Sequence, residues 1–195
     1  TGHVTVLVSL IFSSMSGSAV TDAAGPGIVS IRMMRQIGRF PGELAVAVAA
    51  AASVTASVIP PSIPLVIYAM LSGASVGALF LAGIVPGLLM GITVMLTVWA
   101  VASRHDLPPG KAVPLAEALP RLGRAGLPMT LPVLLLGGIW SGWFSPTEAA
   151  AVAALWAIIM GSLLLRSLSL GQVGTSFRES VRQTASTMLL IASAF

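Results

Sequence analysis

The sequence predicts an all-α, polytopic membrane protein containing a re-entrant helical hairpin and a broken transmembrane helix. Its composition, the spacing of its charges and one cluster of prolines point there. Hydrophobic residues make up 56% of the 195 and charged residues only 8%, whereas a soluble domain is near half apolar and about one-quarter charged. No charge occurs from Leu44 to Ser103, from Ala125 to Thr147 or from Ala149 to Leu165, and runs of roughly 20 apolar residues are what a hydrocarbon layer demands. Thr1 and Phe195 both lie inside apolar stretches, so the sequence reads as a piece of a longer chain.

The net charge of +4 sits in three basic clusters between the apolar runs. They are Arg32, Arg35 and Arg39; Arg104, Lys111, Arg121 and Arg124; and Arg166, Arg178 and Arg182. No cluster forms a basic face interleaved with aromatics, so nucleic acid is not a predicted partner. By the positive-inside rule all three are cytoplasmic. Two spans fit between the first and second clusters, Glu43 to Leu71 and Val76 to Ser103, and two between the second and third, Ala125 to Phe144 and Ala149 to Leu165. The proline-rich stretch 104–124 then reads as a cytoplasmic connector.

The opening segment has a different character. Val4 to Phe12 is too short to cross and runs into Ser13-Ser14-Met15-Ser16-Gly17-Ser18, the pattern of a re-entrant limb. With Ala19 to Ile31 returning to the same side, the tip at Ser16-Gly17-Ser18 lies at membrane depth, where non-helical backbone must line a protected cavity. Asp22 is the only carboxylate before Glu43. An ionisable group in such a place suggests a site, and the alternative is that Thr21 or Asp22 caps the returning helix.

Val58-Ile59-Pro60-Pro61-Ser62-Ile63-Pro64 interrupts the next span with three prolines in five residues. Each proline removes an N–H and excludes the carbonyl four residues earlier from its helical bond. Freed carbonyls suit a dehydrated sodium ion, and a helix restarting near Ile63 offers unpaired N–H groups to a carboxylate. A plain proline kink is the alternative.

Other features read as structural. Ser145-Pro146-Thr147-Glu148 has the form of a capping box with proline at the first helical position. Gly83, Gly87 and Gly91 recur every fourth residue, which allows close helix approach. Trp99, Trp140 and Trp143 fall near predicted span ends. His3 and His105 have no partner at metal-ligand spacing, there is no cysteine, and no nucleophile–base pair can be assembled, so neither an enzyme nor a covalent cofactor is expected.

Four blocks, in this order, resemble one family: Ser16 to Gly25, Ile59 to Pro64, Ala78 to Gly87 and Ser145 to Ala150. The family is the large membrane subunit of tripartite ATP-independent periplasmic (TRAP) transporters. Thr21 departs from it, standing where a small residue such as alanine precedes the aspartate. The resemblance implies inverted repeats, incomplete in this sequence: residues 1–103 as a first repeat (hairpin 1–31, broken span 43–71, span 76–103), 104–124 as connector and 125–195 as the start of a second.

It further implies an elevator-type carrier of the bacterial inner membrane. Sodium ions drive import of a carboxylate solute, such as a C4-dicarboxylate or sialic acid, delivered by a periplasmic binding protein, and a small four-helix membrane subunit accompanies the permease. Carried over residue by residue, Ser16, Gly17, Ser18, Asp22 and Ser62 would meet the solute. Ser18 with the backbone oxygens of Val58, Ile59, Pro60 and Pro61 would meet sodium. The remaining readings are a stand-alone ion-coupled anion carrier and a membrane scaffold without transport.

Overall fold

Uninterrupted runs of Ala, Leu, Ile and Val satisfy their backbone polar groups within one segment as helices. The computed structural model describes residues 2–104 and 126–193, and the described residues form helices and no strand. The predicted connector, beyond Arg104, lies outside them. In order, the helices are α1 (Gly2–Ser16), α2 (Ala19–Asp22), which passes through a π turn (Ala23–Gly27) into α3 (Ile28–Gln36), α4 (Gly42–Val54), α5 (Ile63–Ser72) and α6 (Val76–Arg104). After the connector come α7 (Thr130–Trp140), α8 (Pro146–Ile159) and α9 (Leu170–Ser193).

Among the described residues two segments are long and apolar enough to cross a membrane, Val76–Arg104 with 29 residues and Pro146–Leu164 with 19. At 1.5 Å per residue the first extends roughly 43 Å. Its large apolar side chains face outward: Val85, Leu88, Leu89, Ile92, Leu96 and Trp99 are all more than half exposed. A soluble protein rarely leaves so continuous an apolar surface bare, and the arrangement fits a membrane protein.

The inward faces carry small and hydroxylated residues. On α1 the buried residues are Gly2, Thr5, Val6, Ser9 and Ser13, which helical spacing places on one face. They meet the buried face of α4, Ala45, Val48, Ala49, Ala52 and Ser53. Small side chains on both partners let the backbones close up, the usual route to helix association where lipid removes the hydrophobic drive. Val6, Met34, Phe40, Val48 and Val98 fill the centre of this contact.

Helix α6 lies across both partners through its glycine face. A Cβ built on Gly83 would stand 2.6 Å from the Val58 carbonyl oxygen, one on Gly87 2.5 Å from Ile59 Cγ1, and one on Gly91 2.9 Å from Leu10 Cδ2. Because Gly83 meets Val58 whereas Val98 packs beside Gly2 and Phe40, α6 runs antiparallel to α4.

The α7–α8 pair is closed by the predicted capping box: the Ser145 hydroxyl accepts from the Glu148 N–H (3.3 Å) and the Glu148 carboxylate accepts from the Ser145 N–H (2.8 Å). Trp156 Nε1 donates to Thr130 Oγ1 at 2.9 Å across the pair. Helix α7 has 11 residues, shorter than the apolar run from Ala125 to Phe144 predicts. Pro128 and Pro132 delay its start, and Gly142, at φ +76°, follows its end. Helix α9 runs unbroken through Arg178 and Arg182, with Val173, Phe177, Val181 and Thr184 at helical spacing along one face.

Replacing Gly87 with valine in the full-length protein is expected to cost about 1–3 kcal/mol, while Leu88→Ala on the outward side stays within about 0.5 kcal/mol; denaturant titration in detergent separates the two. Glu148→Gln keeps an acceptor for the Ser145 N–H and Glu148→Ala removes it, so the melting temperature should fall for the alanine variant and hold for the glutamine one; equal midpoints would count against the capping box.

Candidate functional site

The site grows from the interruption between α4 and α5. Helix α4 tightens into a 3-10 turn, Thr55–Ser57, and the N–H groups of Val58 and Ile59 both donate to the Thr55 carbonyl, at 3.0 and 2.9 Å. Pro60 and Pro61 have no N–H to offer, and the bond between them is cis. Ser62 is extended (φ −130°, ψ 126°) and N-caps α5, accepting from the Leu65 N–H at 3.4 Å while donating to the Ser57 carbonyl at 2.6 Å. Among the described residues nothing donates to the carbonyls of Val58, Ile59, Pro60 or Pro61.

Facing this break is the turn between α1 and α2. Helix α1 continues through Ser13 to Ser16, beyond the apolar run that ends at Phe12, since serines on its inner face have partners there. Gly17 takes φ +61°, a left-handed conformation that glycine adopts without steric cost. Ser18 is then extended, and its hydroxyl accepts from the Thr21 N–H at 3.4 Å. The cap is thus Ser18, not Thr21 or Asp22: once the chain leaves the left-handed turn, Ser18 is the first residue in position to cap.

Asp22 has a different task. It is fully buried, its Oδ2 accepts from the Ser13 hydroxyl at 2.8 Å and its Oδ1 accepts from the Ser16 hydroxyl. The carboxyl staples the returning limb to the last turn of α1. The π turn behind it follows from Pro26, which cannot donate to the Asp22 carbonyl. One extra residue per turn brings Gly27 there instead, with a built Cβ only 3.0 Å from that oxygen.

The tip and the break meet through main-chain atoms. The Ile63 N–H donates to the Gly17 carbonyl at 3.1 Å, and a Cβ on Gly17 would fall 2.5 Å from the Pro61 carbonyl oxygen. Ser16, Gly17, Ser18 and Asp22 therefore lie in one turn, and Pro61 and Ser62 lie opposite. Val58 and Ile59 turn the other way: the Val58 carbonyl faces Gly83 and the Ile59 side chain covers Gly87. Among the described residues no three His, Cys, Asp or Glu residues come together, so the oxygen donors on offer are hydroxyls, main-chain carbonyls and one carboxyl. Sequence reasoning missed Ser13 and Ser57 as partners of Asp22 and Ser62. The signal for Ser13 was its place on a hydroxylated face with Thr5, Ser9 and Ser16.

Over residues 1–195 the sequence matches the family described as tripartite ATP-independent periplasmic transporter, DctM component. The chain belongs to that family. This DctM-family chain is 39% identical, over 97% of its own length and 44% of the relative's, to the sialic acid TRAP transporter large permease protein SiaM of Vibrio cholerae. It is 38% identical to the 2,3-diketo-L-gulonate TRAP transporter large permease protein YiaN of Escherichia coli, over 99% of the chain and 45% of the relative. Against the C4-dicarboxylate TRAP transporter large permease protein DctM of Pseudomonas aeruginosa the identity is 38%, covering 97% and 44%. The chain spans less than half the length of these relatives, which are permeases and not enzymes.

If Asp22 staples the hairpin, Asp22→Ala leaves the buried Ser13 hydroxyl and the half-buried Ser16 hydroxyl without their acceptor and lowers the stability of the full-length protein by about 1–3 kcal/mol. Ser14→Ala, whose hydroxyl donates only to Ile11 of its own helix, shifts it by about 0.5 kcal/mol or less. Equal midpoints for the two variants in thermal melts would remove the staple.

Proposed function

We propose that this chain forms part of the membrane permease subunit of a sodium-coupled secondary transporter that imports carboxylate solutes across the bacterial inner membrane. The observation that carries the reading is the docking of the Gly17 tip on the break at Pro61–Ile63. It sets two helix starts, those of Ala19 and Ile63, beside main-chain oxygens that have no donor among the described residues. Helix starts favour an anion and unpaired carbonyls a cation, so one crevice serves both charges. Family membership supports the same reading, as do relatives named for sialic acid, diketogulonate and C4-dicarboxylate.

In this reading residues 1–31 form a re-entrant hairpin, 43–71 a broken transmembrane helix and 76–103 the span that closes a first transport repeat. The connector 104–124 leads to the start of an inverted second repeat at 125–195. Sodium binds between tip and break, through Ser18 and backbone oxygens of Val58 to Pro61, and orders the crevice for the solute at Ser16, Gly17, Ser18, Asp22 and Ser62. Because Val58 faces α6 and Pro61 faces the tip, filling the ion site requires these carbonyls to rotate toward a common point. An anion accompanied by sodium and helix N-termini is far less costly to carry through hydrocarbon than one alone, which couples the elevator movement to the ion. A periplasmic binding protein delivers the solute, and a small four-helix subunit completes the membrane unit.

The test is uptake of a radiolabelled organic acid into proteoliposomes holding the full-length permease, its small subunit and the binding protein. Uptake should need both an inward sodium gradient and the binding protein. Ser18→Ala should raise the sodium concentration for half-maximal uptake, and Ser62→Ala the solute concentration, each by about fivefold for one lost hydrogen bond of roughly 1 kcal/mol. Uptake indifferent to sodium would sink the coupling, and uptake without binding protein would point to a stand-alone carrier.

A further inference from the structure

Between α4 and α6, on the side away from the hairpin tip, runs an apolar groove of about 330 Å³. Leu44, Ala47, Ala51, Val94, Val98 and Val101 line it, and its volume falls within the range of small-molecule sites. From Thr93 to Val101 it follows α6 for roughly 12 Å, enough for an extended alkyl segment. Ala47 and Ala51 are exposed, so among the described residues the groove opens outward rather than into the fold.

One end of this groove is basic. Phe40, at its mouth, directly follows Arg39, and Val101 precedes Arg104 by one helical turn. The Arg35 Nε lies 3.8 Å from a Cβ built on Gly42, at the start of α4. Arg35, Arg39 and Arg104 are all exposed, and among the described residues none of their side chains has a hydrogen-bond or ion-pair partner. Among the described residues Glu43 is the one acid close to them in the chain, and it compensates at most one of the three. Arg39 also holds a left-handed backbone (φ 53°), a conformation uncommon for a residue with a side chain.

We infer that this groove with its arginine rim is a binding site for an anionic phospholipid of the cytoplasmic leaflet, an acyl chain lying between α4 and α6 and the phosphate facing Arg39 and Arg104. An occupant matching both halves must be an alkyl chain with a negative head at one end, and the positive-inside rule places that end at the leaflet where anionic lipid draws basic residues. The inference rests on the reading above only in that these helices lie in a bilayer. Sodium-independent uptake would leave it standing.

The experiment places a benzophenone on Ala47→Cys of the full-length protein, reconstituted in vesicles of equal phosphatidylglycerol and phosphatidylcholine with matched chains. After illumination, the adducts on the peptide containing position 47 are weighed. Each arginine near an anionic head is worth about fivefold, so phosphatidylglycerol should exceed phosphatidylcholine by about twenty-five-fold. Adding Arg39→Gln with Arg104→Gln should bring the ratio close to parity while total lipid adduct is retained, which also shows that the groove is still formed. A ratio near one in the unaltered rim, a preference that survives the double substitution, or adducts to polypeptide in place of lipid would each overturn the site.

Discussion

A backbone carbonyl in apolar surroundings needs a donor, and among the described residues the segment from Val58 to Pro61 has four of them without one. The surrounding structure answers to that constraint. Ser62 bends back to the Ser57 oxygen and caps the next helix, so the break is held at the five residues 58–62. The glycine face of α6 admits the displaced chain at Val58 and Ile59. The hairpin tip brings Gly17 to the exposed N–H of Ile63. What remains unsatisfied is the set of oxygens on which an ion can act.

Charge and polarity are distributed in the reverse of a soluble protein. Polar atoms collect inside, at Asp22, Ser13, Ser9, Ser53 and Thr55, while leucines and valines look outward. Unpaired polar groups in an apolar interior cost on the order of 1–3 kcal/mol each, which explains why Asp22, Ser13, Ser53 and Thr55 are each hydrogen-bonded. Thr5 Oγ1 is the buried side-chain atom among the described residues that lacks a partner.

How much of this was legible in the sequence depended on range. The break could be read because proline acts on its own neighbours, and the capping box because its two halves are three residues apart. The glycine spacing announced a close approach, yet not that Val58 and Ile59 were what approached. Hairpin chemistry was less accessible: Ser13 and Asp22 are nine residues apart, and only the left-handed turn at Gly17 decides which hydroxyl reaches the carboxyl. The short α7 was missed because apolar count was weighed without Pro128, Pro132 and Gly142. The sodium and solute contacts rest on positions that family likeness supplied, since hydroxyls and carbonyls carry no spacing signature.

The staple at Asp22 also bears on biogenesis. In the proposed re-entrant arrangement, an Asp22 carboxyl released from Ser13 and Ser16 would face acyl chains together with those two hydroxyls, a state several kcal/mol uphill for the acid alone. Pairing the two limbs before they meet lipid avoids that state, which makes the whole hairpin, with the turn at Gly17 closed, a more favourable unit of insertion than a single helix.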